Sequence, residues 1–414
     1  MKQKKVIYFI LGVLMMSCTQ SNKQTDKTSQ LASKIDNIDT NKDMYSIETD
    51  NYLSTKNGFN LSGLFNHVKT VILETKKDVL IGNITSMQVY KDSIFILDNI
   101  SSNGLFLFNK EGRFLKRYGN IGQGPGEYLK PTDFSLDVKS NKVYILDSKS
   151  QNILIYNLSS GSYINTIHIV NRRFKSYHIQ YANGRIFADA YYFEKNKYAF
   201  LLQEINKSTG ERINQWLPTK SYNKNYSEPL FASENVFYDR TQESPKFIQY
   251  FMDTVITIGH NKIMPLLSLK SNKLLKEVDL QDFNYRKDNI VMKFLLKDIV
   301  YHISNFCSYK NILYFTFRYK DLFECCIYNK NTKETQIKNM IFDDLVYKTH
   351  EGGSYLFPRF CTSNEDGMYA YIHPIEMKKF LELAKCNKLR PDLDKIDKLK
   401  QLTSESNPVI FIYQ

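Results

Sequence analysis

The stretch "IFILD", residues 94–98, is followed by "GLFLFNKEG", residues 104–112, and this pair of segments recurs along the chain. The further copies are "VYILD" (143–147) with "ILIYNLSSG" (153–161), and "RIFAD" (185–189) with "LLQEINKSTGE" (201–211). Each copy consists of an apolar strand that ends in Asp, a polar turn, a second strand, and a turn that contains Asn or Gly. The repeat therefore predicts a series of antiparallel strand pairs.

The asparagine of the second turn gives the length of the repeat. Asn109, Asn157 and Asn206 are 48 and 49 residues apart, and looser copies place Asn261 a further 55 residues on and Asn329 a further 68. Asn tolerates the left-handed backbone conformation that turns between strands need, which explains its recurrence. A period of this length with several short strands per unit is typical of a β-propeller blade.

The repeated region predicts an all-β fold, a six-bladed β-propeller, over residues 66–414. A single blade cannot bury both of its faces, so neighbouring blades must stack around an axis. The length of this region corresponds to about seven units of the observed period, and because the later units carry insertions, we expect six. The 29 Tyr and 27 Phe residues, against one Trp, agree with a strand-rich chain.

The glycine-rich stretch "YGNIGQGPGEY", residues 118–128, lies between the last strand of one unit and the first strand of the next. A phosphate-binding glycine loop would open a helix within a βαβ unit, whereas this stretch is followed by another strand. Its glycines allow tight turns with positive φ, its proline stiffens them, and its tyrosine is expected to pack on a neighbouring blade. The predicted structural loop between blades consists of Gly122, Gly124, Pro125, Gly126 and Tyr128.

This loop and its flanking strands resemble the NHL repeat, and still more the six-bladed β-propeller lipoproteins of Bacteroidota, in which a G-x-G-P-G-E-[FY] loop crosses between blades. The resemblance covers residues 66–414, including "VILETKKDVLIGNI" at 71–84 and the terminal "NPVIFIYQ". It implies a propeller whose relatives among hydrolases and lyases hold a metal at the central channel with acids, Asn or His from several blades.

Helical periodicity interrupts the strand pattern near the end of the chain. Residues 374–389 and 392–402 have apolar side chains at helical spacing, for example Ile375, Phe380 and Leu399. We expect a helical insertion of the last blade, at about 374–402, that packs on the outside of the propeller.

The N-terminus predicts export. Residues 1–17 carry three lysines followed by an apolar run that suits a signal peptide, and "LMMSC" resembles a bacterial lipobox, with Cys18 as the lipid attachment site. An ordinary secretory signal is the alternative. Residues 18–65 are rich in Ser, Thr, Asn, Lys and Asp, and they are expected to form a lipid-anchored polar tether. The predicted location is the cell envelope, at the outer membrane facing the periplasm.

The positive charge indicates no nucleic-acid partner. The formal net charge is +13, and removal of the three lysines of the signal peptide lowers it to +10. A basic chain can bind nucleic acid, but an exported lipoprotein rarely meets it, and the lysines are scattered through loops. The expected partners are the membrane, through the N-terminal lipid, and a glycan, a peptide or an envelope protein.

No motif for catalysis or metal binding is recognisable. G-x-S-x-G, H-E-x-x-H and Walker sequences are absent, the seven His residues are isolated, and no Cys/His set has zinc spacing. We therefore predict no catalytic and no metal-ligating residues, and the cofactor stays unknown. The cysteines after Cys18 are expected to be buried thiols, with disulfides as the alternative.

Two recurring features of the sequence allow more than one role. Asp98, Asp147 and Asp189 recur at strand ends, where they either cap turns or form a ring of metal ligands, and the turn role is expected. The Tyr-rich segments 191–200 and 351–360 either stack on sugars or pack between blades.

Two functions remain open for the whole protein. A non-enzymatic binding or scaffold module is favoured over a metal-assisted hydrolase or lyase, because histidine ligands are missing.

Overall fold

The computed structural model describes residues 44–53, 58–170, 174–192, 199–230, 235–284, 286–320, 322–348 and 358–414. The strands, in chain order, are β1 (Tyr45–Glu48), β2 (Gly58–Asn60), β3 (Val68–Ile72), β4 (Ser86–Tyr90), β5 (Ser93–Asp98), β6 (Gly104–Asn109), β7 (Phe114–Tyr118), β8 (Asn120–Ile121), β9 (Glu127–Tyr128), β10 (Pro131–Asp137), β11 (Lys142–Asp147), β12 (Asn152–Asn157), β13 (Tyr163–His168), β14 (Ile179–Ala182), β15 (Arg185–Asp189), β16 (Phe200–Ile205), β17 (Arg212–Pro218), β18 (Phe237–Tyr238), β19 (Lys246–Phe247), β20 (Thr254–Ile258), β21 (Ile263–Lys270), β22 (Val300–Tyr309), β23 (Ile312–Tyr319), β24 (Leu322–Asn329), β25 (Thr335–Lys338), β26 (Met340–Phe342), β27 (Phe360–Asn364), β28 (Gly367–Tyr371) and β29 (Val409–Tyr413). The helices are α1 (Thr219–Tyr222), α2 (Ile290–Phe294), α3 (Pro374–Lys385) and α4 (Ile396–Lys400), with 3₁₀ turns at Leu61–Gly63 and Glu277–Leu280.

The fold is a six-bladed β-propeller, as the repeat predicted. The blades, each given from the inner to the outer strand, are β4–β5–β6–β7, β10–β11–β12–β13, β14–β15–β16–β17, β18–β19–β20–β21–β1, β22–β23–β24–β25 and β27–β28–β29–β3. Two further pairs, β2–β26 and β8–β9, lie between blades. We number the blades 1 to 6 in this order.

The two sides of the ring differ in their connections. We call the side on which the inner strands begin the front side. Because the strands within a blade alternate in direction, the connection from the second to the third strand also lies on the front side, and so does the connection from the outer strand to the next blade. The back side carries the hairpin turns between first and second strands and between third and fourth strands. Most insertions, including those around α1, α2 and α3, are front-side connections.

Apolar side chains fill the space between neighbouring blades. Because successive residues of a strand point to opposite faces, the second and third strands of a blade each contribute to two interfaces. In β29, Val409, Phe411 and Tyr413 belong to one buried cluster, and Ile410 and Ile412 belong to another. This is why such strands are apolar throughout rather than alternating.

The ring is closed by pairing of the two ends of the repeat array. Strand β29 pairs antiparallel with β3, with Val409 opposite Ile72 and Tyr413 opposite Val68. Blade 6 therefore combines the beginning and the end of the domain. Gln414 adds backbone hydrogen bonds to His67 beyond the strand end.

The predicted start of the propeller at residue 66 is wrong. Strand β1 pairs in parallel with β21 as a fifth strand of blade 4, and β2 pairs in parallel with β26. Residues 44–53 and 58–65 therefore belong to the domain rather than to the tether. The polar composition of this region hid two short strands whose partners lie more than 200 residues away in the chain.

The repeated asparagines lie in the predicted turns, but their role differs from the expected one. The side chain of Asn109 accepts a hydrogen bond from the Arg113 amide, and that of Asn157 accepts from Ser160. The left-handed φ angles fall instead on the glycines of these turns, +88° at Gly112 and +79° at Gly161. The asparagines therefore shape each turn through side-chain hydrogen bonds.

The helical insertion near the C-terminus is present and joins β28 to β29. Phe380, Leu383 and Leu399 are buried against blade 6, and the rings of Phe380 and Phe411 lie 6.1 Å apart. Ile375 departs from the expected apolar face, because it lies at the first turn of α3 and is 81% exposed.

The five cysteines after Cys18 are free; Cys307, Cys325 and Cys326 are buried, as expected, whereas Cys361 is half-buried and Cys386 is exposed. Cys325 and Cys326 lie on opposite faces of β24 in two different clusters, and burial raises the pKa of both thiols. They contribute to packing as small apolar side chains.

Candidate functional site

The central channel is occupied by the side chain of Arg240, which lies in the hairpin turn between β18 and β19 of blade 4. Its guanidinium forms a two-fold ion pair with Asp133 of blade 2, at 2.7 Å and 3.1 Å. It also donates to the Gln180 side chain of blade 3 at 2.9 Å and to Ser86 of blade 1 at 3.1 Å. One arginine therefore connects four blades.

The preceding residue connects the other two blades. The Asp239 carboxylate accepts hydrogen bonds from the backbone amide of Ser308 in blade 5 and from the hydroxyl of Ser363 in blade 6, each at 3.1 Å. Asp239 and Arg240, which we call the axial pair, thus contact all six blades. Because the two side chains point to opposite halves of the ring, the pair acts as a central clamp.

Burial affects the electrostatics of both members of the axial pair. The Arg240 and Asp133 side chains are only 6% and 1% exposed, so their attraction is weakly screened, and an unpaired partner would be costly. Burial also raises the pKa of Asp239 to about 6, although Lys246 and the two hydrogen bonds lower it in part. The backbone of Asp239 has a φ of +39°, an unfavourable angle that Asp tolerates better than most residues.

The raised pKa of Asp239 predicts a stability that falls as pH rises. Between pH 4 and 6 the folded state binds the proton of this group more tightly than the unfolded state, so the free energy of unfolding decreases through that window. Because two pKa units correspond to about 3 kcal/mol, we expect Asp239→Asn to gain about 2–3 kcal/mol relative to wild type between pH 4 and pH 7.5. Urea denaturation at both pH values measures this, and a pH-independent difference would contradict it.

The chemistry of the channel is that of a structural clamp. Both oxygens of Asp133 are taken by Arg240, and one of them also accepts from the Ile179 amide at 3.0 Å. Next to them, the Nδ1 atom of His178 lies 2.6 Å from the Asp189 carboxylate. Burial lowers the pKa of His178, but the nearby Asp189 carboxylate outweighs this and raises it. In the described part of the chain, no group of three or more His, Cys, Asp or Glu side chains is arranged to hold a metal ion.

An open groove lies on the front side, between the helical insertion and blade 1. It has a volume of about 810 Å³, and we call it the front groove. Its polar lining consists of Thr75, Lys76, Lys77, Asp78, Ser101, Ser102, Arg117, Ser404, Glu405, Ser406 and Asn407. The lining also includes Leu80, Ile81, Pro374, Met377 and Pro408, so the groove offers hydroxyls, charges of both signs and apolar surface to a ligand.

Asn407 holds the two walls of the front groove together. Its side chain accepts from the Ile81 amide and donates to the carbonyls of Glu74 and Val79, each at 2.7 Å. Its backbone amide donates to the Thr75 hydroxyl at 2.9 Å. The groove is therefore a fixed feature, because the end of the helical insertion is tied to the segment that precedes blade 1.

The glycine-rich stretch at 118–128 connects blade 1 to blade 2 on the front side and contains no helix. Tyr128 is fully buried, and its hydroxyl donates to the Tyr118 carbonyl at 2.9 Å. Gly126 has a φ of +76°, but Gly122 and Gly124 do not have positive φ. Those two glycines instead make room for Glu127, whose carboxylate accepts from the Gly124 amide at 2.8 Å.

The two kinds of glycine predict different responses to substitution. Gly126→Ala should lower the free energy of unfolding by about 1–3 kcal/mol, because of its φ and because the new methyl would lie 2.8 Å from the Tyr163 ring. Gly124→Ala meets only the flexible end of Glu127 at 3.1 Å, so about 0.5 kcal/mol or less is expected. Thermal unfolding of both variants tests this, and equal losses would contradict the assignment.

The three recurring aspartates cap the connections of their own blades. Asp98 accepts from the amides of Gly82 and Asn83, which enter blade 1, and from the turn that follows at Ile100 and Ser101. Asp147 and Asp189 accept equivalent bonds from the segments that enter blades 2 and 3. The predicted role, capping of the turn that follows the strand, is therefore confirmed for Asp98 and Asp147, and all three aspartates hold the segment that enters the inner strand of their blade.

Several predicted features lie outside the described residues. These are the signal peptide 1–17, Cys18, the tether up to residue 43, and most of the Tyr-rich segments 191–200 and 351–360. Within the described residues, no helix combines the length and the apolar character that crossing a bilayer requires.

Sequence reasoning missed the axial pair. It lies in "YDRT" at residues 238–241, which looks like an ordinary polar hairpin turn. The one available signal was that this turn falls in a blade whose repeat is degraded, where a departure from the pattern can mark a special position.

Comparison with known proteins places the chain in a family and supports the fold. Residues 44–414 match the family described as "Domain of unknown function (DUF4934)". A protein of Bacteroides fragilis described as exported has a similar structure, with a TM-score of 0.67 and 17% identity over 90% of this chain and 98% of that chain. A member of the DUF4221 family from Bacteroides vulgatus has a TM-score of 0.49 and 13% identity over 84% and 96% of the two chains. Comparison with curated protein sequences found no significant match. The chain therefore belongs to the DUF4934 family.

Proposed function

We propose that this protein is a membrane-tethered, non-enzymatic β-propeller lipoprotein of the cell envelope, which binds a glycan, a peptide or an envelope protein on its front side. The lipobox-like end of the apolar N-terminal run supports the tether at Cys18. The structural relative described as exported agrees with an envelope location. Placement at the outer membrane facing the periplasm, and kinship with NHL-like lipoproteins, are parts of the same proposal.

The axial pair is the observation that carries the proposal. A hydrolase or lyase of the six-bladed class would need free oxygen or nitrogen ligands from several blades around the axis. Here the carboxylates of Asp133, which is buried, and Asp239, which is half-buried, already accept hydrogen bonds from Arg240, Ser308 and Ser363. A ring whose axial carboxylates are already paired is suited to present a surface, because these groups are not free to ligate a metal ion.

The front groove is the proposed binding surface. Hydroxyl and amide groups with a few charges of both signs match the donors and acceptors of a sugar chain or of an extended peptide.

A binding array with a groove variant tests the proposal. Wild type, Ser404→Trp and Lys139→Trp should be screened against glycans and peptides; Ser404 is an exposed groove residue, and Lys139 is exposed on the back side. We expect Ser404→Trp to weaken the wild-type ligand at least tenfold, because the indole fills the groove, and Lys139→Trp to bind normally. No ligand, or equal loss in both variants, would count against the front groove.

The lipid anchor needs a separate measurement. Cells that express the wild type should incorporate labelled palmitate into the protein, whereas Cys18→Ser should carry no label, because its thiol is the only proposed acceptor. Equal labelling of both would contradict the anchor without affecting the assignment of the groove.

A further inference from the structure

An insertion at residues 271–299 precedes blade 5 on the front side and is held by its own apolar cluster. Leu280, Phe283, Ile290 and Phe294 pack with residues of blades 4 and 5, among them Phe251. The rings of Phe251 and Phe283 lie 6.4 Å apart at right angles. The underside of the insertion is therefore fixed to the propeller.

Two aliphatic side chains of the same insertion point to solvent. Met292 is 67% exposed, and Leu296, at 89%, is the most exposed large apolar side chain in the described part of the chain. They lie four residues apart at α2 and the turn that follows it. Single exposed apolar residues are common, but two neighbours on an anchored protrusion indicate that something covers them.

The segment that carries these two side chains is basic. The segment 286–297, "RKDNIVMKFLLK", contains four basic residues and one acid. The ammonium groups of Lys293 and Lys297 lie over the rings of Phe283 and Phe294, at 5.4 Å and 5.5 Å from the ring centres. These contacts keep both lysines beside the exposed aliphatic groups.

The neighbouring acid does not neutralise this segment. Asp298 accepts a hydrogen bond from the Tyr319 hydroxyl and forms ion pairs with Lys273 at 3.0 Å and Lys320 at 3.6 Å. Its charge is therefore balanced by lysines from outside the segment, which has a formal charge of +3, whereas the preceding residues of the insertion include the acids Glu277, Asp279 and Asp282.

We propose that residues 286–297 form a docking segment for an anionic lipid bilayer, in which Met292 and Leu296 enter the acyl boundary and the basic residues contact lipid phosphates. Aliphatic tips surrounded by basic residues are typical of surfaces that bind membranes. Protein interfaces, in contrast, are enriched in aromatic residues and depleted in lysine. The inference rests on the proposed function only in that the envelope location brings the domain near a bilayer.

Vesicle binding by the mature chain without its lipid, residues 19–414, tests the docking segment separately from Cys18 and from the front groove. We expect this chain to sediment with vesicles of equal parts phosphatidylglycerol and phosphatidylcholine, and much less with pure phosphatidylcholine. Met292→Ser with Leu296→Ser, and separately Lys293→Glu with Lys297→Glu, should each weaken binding about tenfold or more.

The matched control removes two exposed aliphatic groups elsewhere. Leu115 and Ile213 lie on outer strands of blades 1 and 3 and are 50% and 38% exposed. Leu115→Ser with Ile213→Ser should bind vesicles as the wild type does. The proposal is overturned if the wild type does not bind anionic vesicles, if binding does not depend on vesicle charge, or if the two double-serine variants bind equally. Unchanged melting temperatures of the variants show that they are folded.

Discussion

Arg240→Met is expected to lower the free energy of unfolding by about 3–5 kcal/mol, the range found when one partner of a buried ion pair is removed. The substitution leaves Asp133 charged, 1% exposed and without its guanidinium. It also removes the hydrogen bonds to Ser86 and Gln180, which connect blades 1 and 3 to blade 4. Since single domains are stable by only about 5–15 kcal/mol, the loss should be visible as a large drop in the urea midpoint.

Two further variants separate the ion pair from the loss of an arginine as such. Arg113→Met changes an exposed arginine in a back-side turn, so an effect within about 0.5 kcal/mol is expected. Adding Asp133→Asn to Arg240→Met removes the unpaired charge but keeps an acceptor for the Ile179 amide, and should recover part of the loss. If Arg240→Met is as stable as Arg113→Met, the axial pair does not hold the blades together.

The regular half of the propeller could be predicted from sequence because its repeats are local. Blades 1 to 3 keep the Asp at the strand end and the Asn in the turn at nearly constant spacing, and each contact that these residues make lies within about fifty residues along the chain. Blades 4 to 6 carry long front-side insertions. There the period is lost, so the number of blades could be predicted but the strand boundaries could not.

The candidate sites could not be predicted, because they depend on contacts between distant parts of the chain. The turn that contains Asp239 and Arg240 points into the channel only because the ring closes around it. The front groove forms where residues 75–82 meet residues 404–408, more than 300 positions apart. Likewise, β1 ("YSIE") is too short to show a clear alternation of apolar and polar residues. It pairs with β21, the strand that would otherwise form the open edge of blade 4.

Deletion of residues 409–414 is expected to abolish cooperative folding of the whole domain. The deletion removes β29, the third strand of blade 6, and with it the hydrogen bonds to both β28 and β3. All five side chains of β29 are buried. At about 1.5–3 kcal/mol for each buried side chain of this kind, their loss is comparable with the total stability of a domain.

A synthetic peptide separates this explanation from a general effect of shortening the chain. Added to the truncated protein, a peptide of residues 406–414 should restore a cooperative unfolding transition, because it can pair between β28 and β3, whereas a scrambled peptide should not. Within the full chain, Phe411→Ala should cost about 3–5 kcal/mol, while Ile375→Ala, at an 81% exposed position, should cost little. A truncated protein with the wild-type melting temperature would show that the ring does not depend on closure by its two ends.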